Sequence, residues 1–272
     1  PTPTDGSYPV TATLTDLAGN TSTASTPVTI VVDTVAPTPL GATLHADTGT
    51  SASDRITSDP VISISNAQAG ATLEYSVNNG GTWTTFTGTS ITLPEGVYAQ
   101  DAVQVRQTDA VGNVSAAATL AGLTVDTTAP AKPAAPSSYN DNFGAVMSAT
   151  STASSTDDNT PVVNLAPNLI GDVKAYVNNT LTPATYDSAT GTLTFASALT
   201  DGQKAITYTL TDVAGNESPK SDALNVIIDT APPSTVTLTL GTGVSDGATS
   251  AEATAATGVV SIATTVGLST AV

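Results

Sequence analysis

The sequence predicts an all-β protein made of tandem β-sandwich domains, and three observations carry that prediction. Short stretches alternate apolar with polar residues and are rich in Val, Ile and Thr, the pattern of half-buried strands. No stretch of the 272 residues sustains helical periodicity. One motif pair also recurs three times, Asp-x-Ala/Val-Gly-Asn-x-Ser followed by Asp-Thr-(x)-Ala-Pro. Its copies are Asp16-Leu17-Ala18-Gly19-Asn20-Thr21-Ser22 with Asp33-Thr34-Val35-Ala36-Pro37, Asp109-Ala110-Val111-Gly112-Asn113-Val114-Ser115 with Asp126-Thr127-Thr128-Ala129-Pro130, and Asp212-Val213-Ala214-Gly215-Asn216-Glu217-Ser218 with Asp229-Thr230-Ala231-Pro232. The first Asp precedes the second by 17 residues in every copy, while the copies themselves lie 93 and 103 residues apart. That period is too long for a solenoid, whose units of roughly 20 to 50 residues share one core. It is the length of a domain large enough to bury a core of its own.

The repeat divides the chain into the closing part of one domain (1–36), a complete domain (37–130), a longer complete domain (131–233) and the opening part of another (234–272). Strands are expected at 9–15 and 27–32, where Val and Ile alternate with Thr. In the first complete domain they fall at 61–65, 72–77, 90–93, 101–108 and 119–125, and in the second at 162–165, 172–177, 192–195, 204–211 and 223–228. Thr and Ser on alternate positions suit a solvent face, with Val, Ile and Leu inward. The tips Asn78-Asn79-Gly80-Gly81 and Asn178-Asn179 are turn signals, because Asn and Gly tolerate positive φ. Tyr75 and Tyr176 precede their motif Asp by 34 and 36 residues, which places both on one equivalent central strand. The Gly-Asn turn joins the last two strands of each domain. Pro37, Pro130 and Pro232 end strand pairing and stiffen a short connection, since proline has no N–H and a fixed φ.

Composition narrows the function. Six Lys and Arg stand against 23 Asp and Glu, for a net charge of −17. Nucleic-acid binding needs many cationic contacts and is excluded as an expectation. Cations are the expected counterpart, because self-repulsion at such a charge opposes a compact state. With no cysteine, neither disulfides nor a thiolate metal site can form. No apolar run of about 18 residues and no signal-like start is present, so direct membrane insertion is not expected.

The paired motifs, together with Tyr75-Ser76-Val77-Asn78-Asn79-Gly80-Gly81-Thr82-Trp83 ahead of the second copy, resemble the bacterial immunoglobulin-like repeats of giant surface adhesins, such as biofilm-associated proteins and type I-secreted adhesins. The resemblance covers essentially the whole chain. It implies tandem immunoglobulin-like sandwiches arranged as an elongated rod, with Ca²⁺ at domain junctions. The segment is then an extender of a secreted adhesin at the bacterial cell surface, serving cell adhesion and biofilm formation. Its partners are the neighbouring repeats of the same chain. A binding module that recognises a host or matrix glycan, a protein or another adhesin copy is the alternative, and an accessory module of a secreted hydrolase is a third. The domain 131–233 departs from the pattern by an Asn140–Thr160 opening rich in Ser, Thr, Ala and Asp, and by an exit one residue shorter.

Ca²⁺ takes about 6 to 8 oxygen ligands from carboxylates, carbonyls and water, and Asp and Asn on turns offer them. The candidate ligands are the exit residues Asp33, Asp126 and Asp229, the loop residues Asp47, Asp54, Asp141, Asp157 and Asp158, and the motif residues Asp16, Asp109 and Asp212. Asp33 is expected beside Asp47, Asp54 and Asp59, and Asp126 beside Asp141, Asp157 and Asp158. The competing reading is that Asp and Asn shape turns by bonding nearby backbone N–H groups. His45 is the only histidine, which removes Ser-His-Asp and Cys-His catalysis from two of three domains, and beside the loop residue Asp47 it reads as a surface residue; no sugar platform accompanies the carboxylates. No enzyme activity is therefore expected. Trp83, Tyr75 and Phe86 read as hairpin packing before they read as a glycan patch. Asn-x-Ser/Thr at Asn20, Asn113 and Asn216 is a by-product of the turn.

Overall fold

The computed structural model describes residues 3–233, 235–240, 249–250 and 260–263. The fold is all-β and of immunoglobulin-like sandwich type, with short, mostly antiparallel strands; Ile56–Thr57 with Leu123–Val125 and Ser155–Thr156 with Leu224–Ile228 pair parallel. The chain forms two compact units: one of Pro1–Ala134, Asn168–Ala175 and Thr207–Asp222, the other of Ala135–Pro167, Tyr176–Ile206 and Ala223–Val272. The segments 168–175 and 207–222, which the sequence period assigns to 131–233, thus group with the first unit. The turn 212–216 is tied to that unit by Asn216 Nδ2 donating to Asp126 O and by Thr48 Oγ1 and Ser58 N donating to Ala214 O.

In the first unit, Gly6–Val10 pairs with Val28–Val32 from Gly6↔Val32 to Val10↔Val28. The strand expected at 9–15 therefore starts earlier and stops at Val10. Beyond it, serine side chains take over the ladder: Ala12 N donates to Ser25 Oγ at 3.1 Å and Leu14 N to Ser22 Oγ at 3.0 Å. One sheet then runs Gly41–Leu44, Val61–Ser65, Ser90–Thr92, and a second runs Ala118–Thr119, Gln104–Thr108, Thr72–Ser76, Thr84–Phe86. Tyr75 lies on an interior strand of the second sheet, as its spacing predicts. The expected strand 119–125 is split, because Leu123–Val125 leaves for a third small sheet between Ile56–Thr57 and Gly96–Tyr98.

Alternation fills the core between these sheets. Ile62 and Ile64 point inward from Val61–Ser65, and Val105 does so from Gln104–Thr108. They join Leu40, Leu73, Ile91, Leu93, Val103, Leu120, Leu123 and Val125 in one buried cluster, with Tyr75 and Phe86 packed against it. Gln107 is a fully buried polar side chain and is fully paired, as burial requires. Its amide donates to Thr38 O at 2.6 Å and Asn66 O at 3.1 Å, and its Oε1 accepts Gln68 N at 2.8 Å. That network anchors the strand two residues before Asp109.

The 131–233 segment contains one sheet in the order Ser148–Ser151, Ser138–Asp141, Val162–Asn164, Thr192–Phe195, Ala184–Asp187. Another runs Ser155–Thr156, Leu224–Ile228, Gly202–Thr211, Asp172–Val177, Thr180–Thr182. Its interior anchor is Tyr139, fully buried with its hydroxyl shared between Ala153 O and Ser155 O. The expected tips appear with positive φ, at Asn79 and Gly80 and at Asn178 and Asn179. Of the expected opening 234–272, Thr237–Leu240 pairs with Val260–Ala263, and most of the rest lies outside the described residues. No helix among the described residues is long and apolar enough to cross a membrane.

Truncation of a core anchor is expected to cost what a cavity costs. Ile62→Ala should lower the unfolding free energy by about 2 to 5 kcal/mol, read as a fall in the urea midpoint with little change in slope. An unchanged midpoint would show that this cluster does not bear the stability of the sandwich.

Candidate functional site at the repeated turns

Each Asp-x-x-Gly-Asn segment closes on its own aspartate. Asp16 Oδ1 accepts Ala18 N and Asn20 N, both at 2.9 Å, and Oδ2 accepts Asn20 Nδ2 at 2.9 Å. Asp109 Oδ1 accepts Val111 N, Gly112 N and Asn113 N at 3.0, 2.8 and 2.9 Å, and Oδ2 accepts Asn113 Nδ2 at 2.8 Å. Asp212 repeats this with Asn216 N at 2.9 Å and Asn216 Nδ2 at 3.0 Å. The glycine is required by geometry, since Gly19, Gly112 and Gly215 have φ of 87°, 104° and 95°, a region that side-chain-bearing residues avoid. The motif serine closes the base. Ser22, Ser115 and Ser218 each accept on Oγ the N–H of the residue two before the aspartate, at 3.0, 3.1 and 2.9 Å, and return their own N–H to its carbonyl.

The exit segments are built as regularly. Oδ1 of Asp33, Asp126 and Asp229 accepts the N–H two residues on, at 3.0, 3.0 and 3.2 Å. The following threonine is clasped through its hydroxyl and its N–H by an acid far back in the chain. Thr34 is held by Asp5 (2.9 and 3.1 Å), Thr127 by Glu95 (2.8 and 3.3 Å), and Thr230 by Asp201 (2.9 and 3.3 Å). Sequence reading missed these clasps. The available signal was an Asp or Glu 29 to 32 residues before each exit Thr.

The turns meet exits that belong to the preceding copy. Asn113 Nδ2 donates to Asp33 O at 3.0 Å, and Asn216 Nδ2 to Asp126 O at 2.7 Å. Around the latter, Ala214 O accepts Thr48 Oγ1 at 2.6 Å and Ser58 N at 3.2 Å, and Val213 O accepts Thr50 N at 3.4 Å.

The loop aspartates lie elsewhere than expected. Residues 54–59 run beside their own domain's exit, with Thr124 N donating to Arg55 O and Asp126 N to Thr57 O. Asp47, Asp54 and Asp59 were expected to face Asp33, but the chain crosses the sandwich along Gly41–Leu44 before it reaches that loop. Asp54 Oδ1 takes Ile56 N, Asp47 Oδ2 takes Arg55 N, and Asp59 pairs with His45 Nδ1 at 2.6 Å. Asp141, Asp157 and Asp158 likewise keep company with Asp229. Asp229 N donates to Thr156 O, and Asp141, Asp157 and Asp229 line one cavity of about 640 Å³. Asp157 and Asp158 line a second, of about 400 Å³, with Thr230.

Asp158 is 2% exposed; its carboxylate accepts Thr160 N and Oγ1 and, at 3.3 Å, Asn142 N. Asp141 is 4% exposed, and its Oδ1, like Asp47 Oδ1, is buried with no hydrogen-bond donor among the described residues. Those two oxygens fit a cation. The motif aspartates fit one poorly, because both oxygens are already bonded to N–H groups. Among the described residues, no three acidic or imidazole side chains stand together as a ready metal cage.

One face of the Trp83 ring is covered. The Arg106 guanidinium lies 3.9 Å from the ring centroid and is itself bonded to Glu74 at 2.8 Å. Tyr75 and Phe86 meet edge to face with centroids 6.1 Å apart, packed against the core.

Residues 145–230 match the family model described as "Bacterial Ig-like domain". This match, the two-sheet sandwiches and the triplicate motif support an immunoglobulin-like repeat protein. Among solved structures it is similar to fibronectin(III)-like modules of Clostridium thermocellum CbhA, at 14% identity over 72% of this chain and 90% of that one, with a TM-score of 0.37. It is also similar to SGBP-B of the Bacteroides ovatus mixed-linkage glucan utilization locus in complex with a mixed-linkage heptasaccharide, at 15% identity over 83% of this chain and 54% of that one, with a TM-score of 0.21. The comparison with curated proteins gave no match.

Hydrogen bonding holds three of these carboxyls below their ordinary values. For Asp16 and Asp109 the first cause is the Asn20 or Asn113 side-chain amide, followed by backbone N–H groups; for Glu95 it is the Thr128 and then the Thr127 hydroxyl. A carboxyl lowered in the folded state adds stability that is complete above its unfolded value and lost as pH falls through the folded one. Melting temperature should therefore hold steady down to about pH 4 and drop below it. Asp109→Asn should melt lower at neutral pH and decline less steeply in acid. Parallel acid limbs for the variant and the parent would refute the assignment.

Proposed function

We propose that this chain is a non-catalytic extender segment of a secreted bacterial surface adhesin, a rod of immunoglobulin-like repeats that holds a binding module away from the cell in adhesion and biofilm formation. The observation that carries this reading is the exit, constructed alike three times. An aspartate bonded to its own following backbone, a threonine clasped by a distant acid and a proline leave the connection few conformations. A chain selected for catalysis or for a single ligand has no need to stiffen every connection in the same way. A chain selected for reach does, because each free hinge shortens the mean span of an array.

Ca²⁺ belongs to the proposal at the exit poles rather than in the Gly-Asn turns. Asp141, Asp157 and Asp229 share a cavity, and a buried carboxylate oxygen without a donor is costly unless a cation or proton meets it. Bound there, the ion would neutralise like charges and tie the 141–158 loop to the exit. The neighbouring repeats are the principal partners, and the place of action is outside the cell.

Titrating the chelator-treated chain with Ca²⁺ should raise the melting temperature and lengthen the maximum dimension measured by small-angle scattering. Asp141→Asn should lose much of that rise. If neither quantity differs between Ca²⁺ and chelator, the calcium-stiffened extender is wrong.

A further inference from the structure

We propose that the edge strand Gly41–Leu44 of the domain 37–130 is a strand-addition site, which takes an extended peptide segment of small hydroxyl residues carrying one aromatic side chain. The longer domain 131–233 shows the same edge already filled. Leu44 lies opposite Ile62, and Ile62 opposite Ile91; in the longer domain Tyr139 lies opposite Val163, and Val163 opposite Leu193. Further on, Arg55 O and Ser154 O accept the N–H of the exit strand in the same way, from Thr124 and Ile227. Leu44 and Tyr139 therefore hold one position in two repeats. From that position to the parallel strand that follows, Ile56–Thr57 or Ser155–Thr156, the longer domain has four more residues. Within this stretch Ser148–Ser151 folds back antiparallel on Ser138–Asp141 and sets Ser151 opposite Tyr139. The shorter loop of the domain 37–130 supplies no such strand, and among the described residues Gly41–Leu44 pairs on one side only, with Val61–Ser65.

The open side carries donors, acceptors and a cavity. His45 N donates to Val61 O at 3.0 Å, and antiparallel bonding alternates, so Thr43 bonds towards Ser63 while the N–H and C=O of Ala42 and Leu44 point outward. Among the described residues no strand meets these outward groups, which makes the edge a template for another strand. The edge belongs to a complete domain with chain described on both sides of it. Beside it a cavity of about 470 Å³ extends from Ala42, Thr43 and Leu44 to Thr119, Leu120 and Ala121. In the longer domain the ring of Tyr139 is fully buried and its hydroxyl reaches Ala153 O and Ser155 O, the carbonyls on either side of Ser154. Leu44 has neither ring nor hydroxyl to do this. Residues directly opposite on paired strands share a face, so an incoming residue opposite Leu44 points with it towards the cavity. A small residue, Ser151, suffices beside Tyr139; beside leucine the same place has room for an aromatic side chain. Main-chain bonds to Ala42 and Leu44 then give affinity, and the cavity gives selection.

This inference does not rest on the extender reading. The test uses the full isotope-labelled chain and two synthetic peptides, residues 146–153 and the same peptide with Ser151→Tyr, each titrated to about 1 mM, which detects even a weak complex. Strand addition predicts saturable resonance shifts and slowed amide exchange at Ala42 and Leu44, with exchange at the already paired Thr43 unchanged. The Ser151→Tyr peptide should bind about tenfold more tightly, the effect of burying one further large apolar side chain. In the chain, Ala42→Pro removes an outward N–H at an edge position that tolerates proline, and it should abolish the slowed exchange at Leu44. Leu44→Tyr recreates the arrangement of the longer domain and should erase the preference between the two peptides. Absence of shifts at Ala42 and Leu44 with both peptides overturns the proposal, as do equal affinities of the two peptides for the parent chain or undiminished binding by Ala42→Pro. Shifts at these residues that grow with the concentration of the chain itself and resist displacement by peptide would make the edge a contact between copies, and would overturn it as well.

Discussion

Each Gly-Asn turn depends on one carboxylate that gathers the N–H groups around it. Without the aspartate, the backbone N–H groups of the turn and the asparagine amide would have to find water, and the left-handed glycine would have nothing to hold it in register. With it, the turn is rigid and its outward face is set: a carbonyl, a small side chain and one spare amide hydrogen. The serine at the end of the motif locks that face to the last long strand. In the second copy the strand is anchored in turn by Gln107, buried and bonded on every side. Position is thus passed from the core to the turn and, through the asparagine amide, from the turn to the neighbouring exit.

Carboxylates therefore do two different jobs in this acidic chain. Those of the turns and clasps are satisfied by N–H and O–H donors and serve as geometry. Those of the 141–158 loop and Asp229 are brought near one another, and one buried oxygen lacks a donor. The division also accounts for the low number of cationic side chains. Six Lys and Arg do not balance 23 acids, but most of the acids that matter structurally are stabilised by dipoles rather than by ion pairs. Of the ion pairs present, Lys132–Asp222 and Lys174–Glu217 are solvent-facing and contribute little.

Much of the fold was legible in the sequence because it is written in local terms. Alternation at Val61–Ser65 and Gln104–Thr108 gives the inward faces, and Asn-Asn and Gly-Asn give the turns. The site was legible only where its contacts are also local. The turn-shaping role of Asp16, Asp109 and Asp212 follows from their own four following residues. The clasps by Asp5, Glu95 and Asp201 do not, since the acid changes type and spacing and pairs through the sheet. The loop aspartates were misplaced for a related reason. Asp47 and Asp54 precede the sheet strand Val61–Ser65 in sequence, which suggests the entry pole, yet the parallel pairing of Ile56–Thr57 with Leu123–Val125 carries them to the exit. A short parallel strand leaves no periodic signature.

The central claim is that the asparagine amide bridges its own turn and the preceding exit. The most direct measurement is a scalar coupling across those hydrogen bonds by nuclear magnetic resonance, with nitrogen-15 in the Asn side chains and carbon-13 in the Asp carbonyls. The account predicts couplings from Asn113 to the Asp33 carbonyl and from Asn216 to the Asp126 carbonyl, and none from Asn20 to either. Side-chain amides of Asn113 and Asn216 that exchange with water as fast as that of Asn20, and show no such coupling, would contradict it.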